Sequence, residues 1–358
     1  MKSRTARLPK TTTAASVAVA VAALLPLTAC AKSAATHDVA ATSQTNVVRY
    51  QGSAGAVTLP EIADSLGVLG NVKLNWVGNT ISGPQDIQSV ATDQTDVGGA
   101  FNAAIAKLVA AGAPLKSVIG YYGSDDKSFI GWYVLADSPI HSPRDLIGKK
   151  VGVNTLGAHH EAAIDAWLTK GGLTPAEIKQ VELVVTPPVN TEQALRNHQI
   201  DVGTLSGILQ DKAVAAGGVR KLFADTDLFG AFTAGSYVFR NNFIAANPDT
   251  VRQFTAGIAK AIEWERTTPR EQVIAKFQDI VAHRGRTEDG SALQFWKSSG
   301  VTSTGGLLKA EDFSRWIDWL VQHGDATPNQ IDPKSLFTNE FNPYANGASP
   351  SASPSSTS

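Results

Sequence analysis

The sequence predicts an α/β protein built as two similar lobes. Two observations carry this. Short apolar runs alternate with helix-like stretches from residue 47 onward, and the alternation begins again near residue 150 with part of its sequence repeated. A strand–helix rhythm of this kind argues for a largely parallel sheet covered by helices.

In the first half, Val47–Tyr50 reads as a strand and Leu59–Leu66 as a helix. Val72–Val77 alternates in polarity as a strand does, and Pro84–Ala91 follows as a short helix. Asp96–Gly99, Ala103–Ala111 and Leu115–Tyr122 continue as strand, helix and strand. In the second half, Lys150–Val153 is a strand, and Ala158–Lys170 a helix stopped by Gly171-Gly172. Strand Val181–Val185, helix Thr191–Asn197, strand Asp201–Thr204, helix Ile208–Ala216 and strand Arg220–Ala224 complete it. At a constant offset of 105, Gln88, Gln94, Asp96, Val97 and Gly98 coincide with Gln193, Gln199, Asp201, Val202 and Gly203. Asp96 and Asp201 therefore read as structural strand-end residues, because catalytic carboxylates have less reason to be duplicated.

Two further strands frame the second half. Trp132–Leu135 precedes it and Ser236–Phe239 follows it. As crossover strands they place the second lobe at 135–237 and make the first discontinuous, 46–134 plus 238–345. Asn247-Pro248-Asp249 starts a helix with Pro in the first turn, and Ile258 and Ile262 give it an apolar stripe. More helices are expected at Glu271–Ala282, Leu293–Lys297 and Glu311–Gln322.

The N-terminus carries a different signal. Lys2, Arg4, Arg7 and Lys10 precede an apolar run at 14–27, which is shorter than the roughly 20 residues a membrane-spanning helix needs. This is the pattern of a secretory signal over 1–29. Leu27-Thr28-Ala29-Cys30 resembles the bacterial lipobox, and Cys30 is the only cysteine in 358 residues. One thiol cannot form an internal disulfide, so lipidation of Cys30 is expected, with anchoring on the extracytoplasmic face of the cell membrane. Residues 30–45 then read as a flexible tether and 346–358, rich in Ser and Pro, as a disordered tail. Taking four basic residues in 1–29 from the 31 in the chain leaves 27 against 32 acidic ones, a net charge of −5. That argues against a nucleic-acid partner, which would favour a basic stripe. A monomer is expected.

Several segments together resemble the nitrate/sulfonate/taurine-type solute-binding lipoproteins of bacterial ABC importers. They are Ser142–Asn154, with Gly148-Lys149-Lys150-Val151-Gly152-Val153; Gly171–Ile178; Ser82-Gly83-Pro84-Gln85; and the twice-used Gln-x-Asp-Val-Gly. The resemblance covers about residues 46–325. It implies a two-lobed type II periplasmic-binding-protein fold with two hinge strands, a solute held between the lobes, hinge closure around it and an ABC permease as membrane partner.

On that fold the loops at strand ends and helix starts are the candidate contacts. They hold Gln51, Gly52 and Ser53; Ser82 and Gly83; Phe101 and Asn102; Asn154, Leu156, Gly157 and His159; and Ser206 with Gly207. For each, a cap or turn role weighs as much as contact. Helix N-termini favour anions, which points to a small anionic organic solute such as a sulfonate, taurine or nitrate. No Arg or Lys stands in these loops, so an uncharged or zwitterionic solute stays open. His159-His160-Glu161 lacks the second His of a zinc-binding His-Glu-x-x-His, and adjacent helical residues point about 100° apart. No metal is expected there; His159 or His160 either donates to the solute or is structural. Tyr121, Tyr122 and Trp132 read as core, and Asp125-Asp126-Lys127 as a solvated turn. Nucleotide-loop, nucleophile-elbow and metal-spacing motifs are missing from the sequence, so no enzyme activity and no cofactor are expected. The alternatives are an enzyme or pyrimidine-precursor binder on the same fold, although the cysteine-rich segment of the thiamine-pyrimidine synthase group is missing, or a ligand sensor for a membrane receptor.

Overall fold

The computed structural model describes residues 44–347. The expected signal segment, Cys30, most of the tether and most of the tail lie outside the described residues. The first half runs β1 (Val47–Gly52), α1 (Leu59–Ser65), β2 (Lys73–Asn79), α2 (Gly83–Ala91), β3 (Val97–Phe101), α3 (Asn102–Ala110) and β4 (Leu115–Ser124). The second holds β5 (Ile130–Leu135), β6 (Lys150–Val153), α4 (His159–Lys170), α5 (Pro175–Ile178), β7 (Glu182–Val185), α6 (Pro188–Arg196), β8 (Val202–Ser206), α7 (Gly207–Ala215), β9 (Val219–Ala224) and α8 (Thr226–Phe229). The chain then returns through β10 (Phe232–Arg240), α9 (Asn241–Ala246), α10 (Pro248–Thr267), α11 (Arg270–His283), α12 (Glu311–Ser314) and α13 (Ile317–Gln322).

The first lobe contains the parallel pair β1–β2 and the antiparallel sheet β3-β10-β4. The second is one sheet ordered β7-β6-β8-β5-β9. The repeated Asp explains why both lobes begin alike. Asp96 N–H donates to Arg49 O at 2.9 Å, and Arg49 N–H donates back to Asp96 Oδ2 at 2.8 Å. In the second lobe Asp201 N–H donates to Lys150 O and Lys150 N–H to Asp201 Oδ2, both at 2.8 Å. Each carboxylate takes a backbone N–H of a neighbouring strand, that of Arg49 within β1 and that of Lys150 at the start of β6. The structural reading of Asp96 and Asp201 matches this.

Apolar packing follows the expected periodicities. Phe254, Ile258 and Ile262 of α10 are buried with Val48, Ile119 and Phe239, which attaches the returning chain to the first lobe. Ile87, Ile105 and Val238 pack with Phe313 and Leu320 from α12 and α13. The second lobe centres on Trp132, Val151, Ile164 and Phe223. Trp132 and Trp167 stack on Phe223 at 4.4 and 4.3 Å, so Trp132 is core. Among the described residues no helix is long and apolar enough to cross a membrane.

Four boundaries differ from expectation. Trp132–Leu135 pairs with β8 and β9, whereas Ser236–Phe239 pairs with β3 and β4. The chain therefore crosses between sheets earlier than 135 and 237, at 125–129 and 225–231, and neither strand is shared. Apolar strand sequence does not reveal which sheet a strand joins. Asp225 fastens the two crossings together: it accepts from Ser124 Oγ at 2.6 Å and Ile130 N–H at 3.2 Å, and its own N–H donates to Ile130 O. Gln44 and Thr45, placed in the tether by composition, are held by α10: Thr45 N–H donates to Asn247 Oδ1 at 2.8 Å, and Asp249 N–H to Gln44 Oε1 at 2.9 Å. Glu311–Gln322 is two short helices rather than one, and Leu293–Lys297 is represented by a 3-10 turn at Ser291–Phe295. At the other end, Asn346 closes a last 3-10 turn and Gly347 caps it at φ 73°, so these two extend the body past 345.

Candidate functional site

The strand ends and helix starts of both lobes meet around a cleft of about 380 Å³, within the range of small-molecule sites. Ligands of open α/β sheets sit outside the carboxyl ends of the strands, and these loops are built that way. β1 ends in Gln51 and Gly52, β3 in Phe101 and β8 in Ser206. α2 starts behind Ser82, whose Oγ accepts the Gln85 N–H, with Pro84 in the first turn. Gly83 has to be glycine, because a Cβ there would fall 2.8 Å from Ala100 Cα. Of the expected contact residues, Gln51, Ser53, Ser82, Gly83, Phe101, Asn154, His159 and Ser206 line the cleft, together with Gly52 and His160.

Asn102, Leu156 and Gly157 do not line it. Asn102 is buried, its Nδ2 donating to Asp312 O at 3.2 Å and its Oδ1 accepting from Ser236 Oγ at 2.8 Å. Leu156 is 52% exposed. Gly157 takes φ 68° and donates its N–H to Glu161 Oε2 at 2.6 Å, shaping the entry to α4. Sequence can place a loop at a cleft, but not which of its residues turn inward.

Sequence reading missed several lining residues, among them three tyrosines and an aspartate. Tyr121, Tyr122 and Tyr237 form one wall, with Tyr121 stacked on Tyr237 at 4.3 Å and edge-on to Tyr122 at 4.9 Å. Gly99 makes room for them, since a Cβ there would lie 2.7 Å from Tyr121 Cε1 and 3.0 Å from Tyr237 Cδ1. Burial raises the pKa of all three hydroxyls, so they stay protonated. The aspartate is Asp86 on α2. Its Oδ2 accepts the Gly99 N–H at 2.7 Å, and its buried Oδ1 has no partner. Burial pushes this carboxyl up to about 7 against the opposing pull of the Gly99 N–H. Among the described residues that line the cleft, none is Lys or Arg. Gln51 Oε1, Asn154 Oδ1 and both ring nitrogens of His159 are also buried without a hydrogen bond. Such groups are costly unless something satisfies them.

His159 reaches across from the second lobe. Its ring stacks on Phe101 at 4.8 Å and 6°, and meets Phe232 and Trp316 edge-on. Its Nε2 lies 3.2 Å from Asp225 Oδ2, outside hydrogen-bond geometry. That Asp225 carboxylate is already held by Ser124 Oγ and Ile130 N–H. His160 accepts the Asn154 N–H on Nδ1 at 3.2 Å. Burial, with a smaller contribution from His159, lowers its pKa to about 3, so it is neutral at ordinary pH.

Histidine and carboxylates also meet at Glu161, Asp165 and His323, whose ligand atoms lie within 4.8 Å of one another. All three have protein partners. Glu161 takes the Gly157 N–H, Asp165 takes Trp319 Nε1–H at 3.0 Å, and His323 Nε2 lies 3.0 Å from Asp165. The group clasps α4 of the second lobe to α13, which is packed on the first.

The profile of the family described as "NMT1/THI5 like" matches residues 80–272, more than half of the chain. A Brucella abortus protein named only as a binding protein is 25% identical over 273 residues, 73% of this chain and 79% of that protein. Riboflavin-binding protein RibY of Chloroflexus aurantiacus is 24% identical over 248 residues, 65% of this chain and 66% of its own. The alkanesulfonate-binding protein SsuA from Xanthomonas axonopodis pv. citri, bound to MOPS, superposes with TM-score 0.65 at 18% identity, covering 83% of this chain and 99% of that one. The periplasmic nitrate-binding protein NrtA from Synechocystis also gives 0.65, at 12% identity and 83% and 87% coverage. These likenesses establish the two-lobed type II periplasmic-binding-protein fold.

Proposed function

The chain belongs to the NMT1/THI5-like family, and on that premise we propose that it is the extracytoplasmic solute-binding subunit of an ABC importer. One observation carries the reading. Residues of both lobes that line one small cleft carry buried, unpartnered polar atoms: Gln51 and Asp86 from the first, Asn154 and His159 from the second. A solute that bridges them would supply the missing partners and favour the closed arrangement of the lobes. Its class is a small organic molecule with an aromatic or apolar portion for the tyrosine wall. The sulfonate- and nitrate-binding neighbours support an anion; the lack of Lys and Arg in the lining supports an uncharged or zwitterionic solute instead.

The anchor belongs to the same proposal. Lipid on Cys30 would keep the protein at its permease. Cys30→Ala should move the protein from the membrane fraction to the medium; unchanged partitioning would refute the anchor. For the binding function, thermal-shift screening followed by calorimetric titration with nitrate, ethanesulfonate, taurine, pyrimidine precursors and riboflavin should yield a stoichiometric binder. Catalytic turnover of a bound compound would overturn the reading.

A further inference from the structure

We propose that Asp86 is the specificity-determining residue of the cleft, and that the solute presents to it an N–H donor group: an amine, an amidine or an amino-substituted ring. This rests on the cleft being a solute site and says which chemistry it selects.

The internal repeat supplies the first argument. At the offset of 105 that aligns the two lobes, Asp86 corresponds to Thr191. Both sit in the first half of their helix and both pack on the glycine of the shared Asp-Val-Gly: a Cβ on Gly98 would meet Asp86, and one on Gly203 would meet Thr191. Thr191 is 2% exposed and satisfies itself by donating to Pro187 O at 3.3 Å. The architecture therefore accepts a small neutral residue here. A carboxylate in the first lobe alone is not demanded by the fold.

The second argument is chemical. Asp86 is 7% exposed, and one of its oxygens is already committed to Gly99 N–H. The other is buried without a partner, in a residue that lines the cleft. The unpartnered amide oxygens of Gln51 and Asn154 can be exchanged for donors by turning the amide. An ionised carboxylate cannot be turned into a donor. In its ionised form it repels a sulfonate or nitrate and favours a donor, most of all a charged one. With its carboxyl pushed up to about 7, an arriving cation would draw Asp86 back to the charged form, so binding and ionisation reinforce one another. Tyr121 and Tyr237, stacked on each other, line the same cleft and add aromatic surface suited to a cationic or aromatic amine.

Asp86→Asn is the informative variant. It keeps an oxygen for Gly99 N–H and replaces the free acceptor by an NH2 donor. Asp86→Thr, the residue of the other lobe, serves as a second variant should the amide fold poorly. Calorimetric titration would use benzylamine and benzamidine against benzoate and benzenesulfonate, with ethanesulfonate added. We expect the two cations to bind the unaltered protein in preference to the anions. Asp86→Asn should lose about 10- to 100-fold in affinity for them and gain affinity for benzoate. Preferential binding of benzoate or a sulfonate, or equal binding of the cations by both proteins, would overturn the assignment of Asp86 and leave the solute-binding function standing. If no probe binds either protein here, and none of the wider solute panel binds, both readings fall.

Discussion

Replacing each of the two repeated aspartates by asparagine separates what the motif does from what one copy adds. In the second lobe, Asp201 accepts one backbone N–H, from Lys150. Asparagine still offers an oxygen there, so the cost of Asp201→Asn should be about 1 kcal/mol or less. Asp96 has the same backbone role and a further one. Its carboxylate, 6% exposed, takes Arg49 Nε at 3.0 Å and Arg49 Nη2 at 2.7 Å, and lies 3.2 Å from Nη2 of Arg240, whose side chain is 8% exposed. Removing one partner of a buried charge pair costs about 3–5 kcal/mol. Arg240 keeps the carbonyls of Val90 and Thr95 and the exposed Asp93, which reduces the figure to about 2–4 kcal/mol. Urea denaturation followed by tryptophan fluorescence should therefore separate the variants by about 2 kcal/mol, Asp96→Asn being the weaker protein. Equal losses would refute the reasoning, because the Arg49 and Arg240 pairings would then contribute nothing.

Three other outcomes are expected. Glu265 is buried and its carboxyl is pushed up to about 7 by that burial; a folded-state pKa above the unfolded 4.5 means stability is lost as pH rises through this range. Glu265→Gln should thus stabilise at pH 8 by up to about 3 kcal/mol and change little at pH 5, read as melting temperature at the two pH values. His160 is the reverse case among bases: with its pKa lowered to about 3, it contributes stability above the unfolded value near 6.5 that is lost on acidification toward pH 3, and His160→Gln should flatten that part of the stability–pH curve. Gly99→Ala should cost about 1–3 kcal/mol by overpacking against Tyr121 and Tyr237 and weaken solute affinity; an unchanged melting temperature would show that the tyrosine wall yields freely.

Much of this architecture was legible in the sequence because it is written twice. The Gln-x-Asp-Val-Gly blocks mark strand ends that the structure staples identically, and the alternation of apolar runs locates nearly every element. What stayed hidden depends on contacts between distant segments. Tyr121 and Tyr122 lie in a strand with no exposed residue, Leu115–Ser124, where a ring facing a cleft and a ring facing the core look alike. Asp86 follows Pro84-Gln85 and resembles an ordinary acidic residue in a first helical turn; only its burial under Gly98 and Gly99 shows otherwise. Asn102 and Phe101 are neighbours with opposite fates, one locked to Ser236 and Asp312, the other stacked on His159.

The strand order β3-β10-β4 has a consequence for biosynthesis. The middle strand of that sheet is made after both of its neighbours, and the entire second lobe is translated in between. Synthesis is vectorial, so β3 and β4 wait with unpaired edges while β5 to β9 emerge and can complete their own sheet. The second lobe is free to fold first, as an autonomous insert, and the first can close only when Phe232–Arg240 threads between strands already present. Long-range pairing of this kind is slow and aggregation-exposed, so the first lobe is the later and more vulnerable of the two to complete.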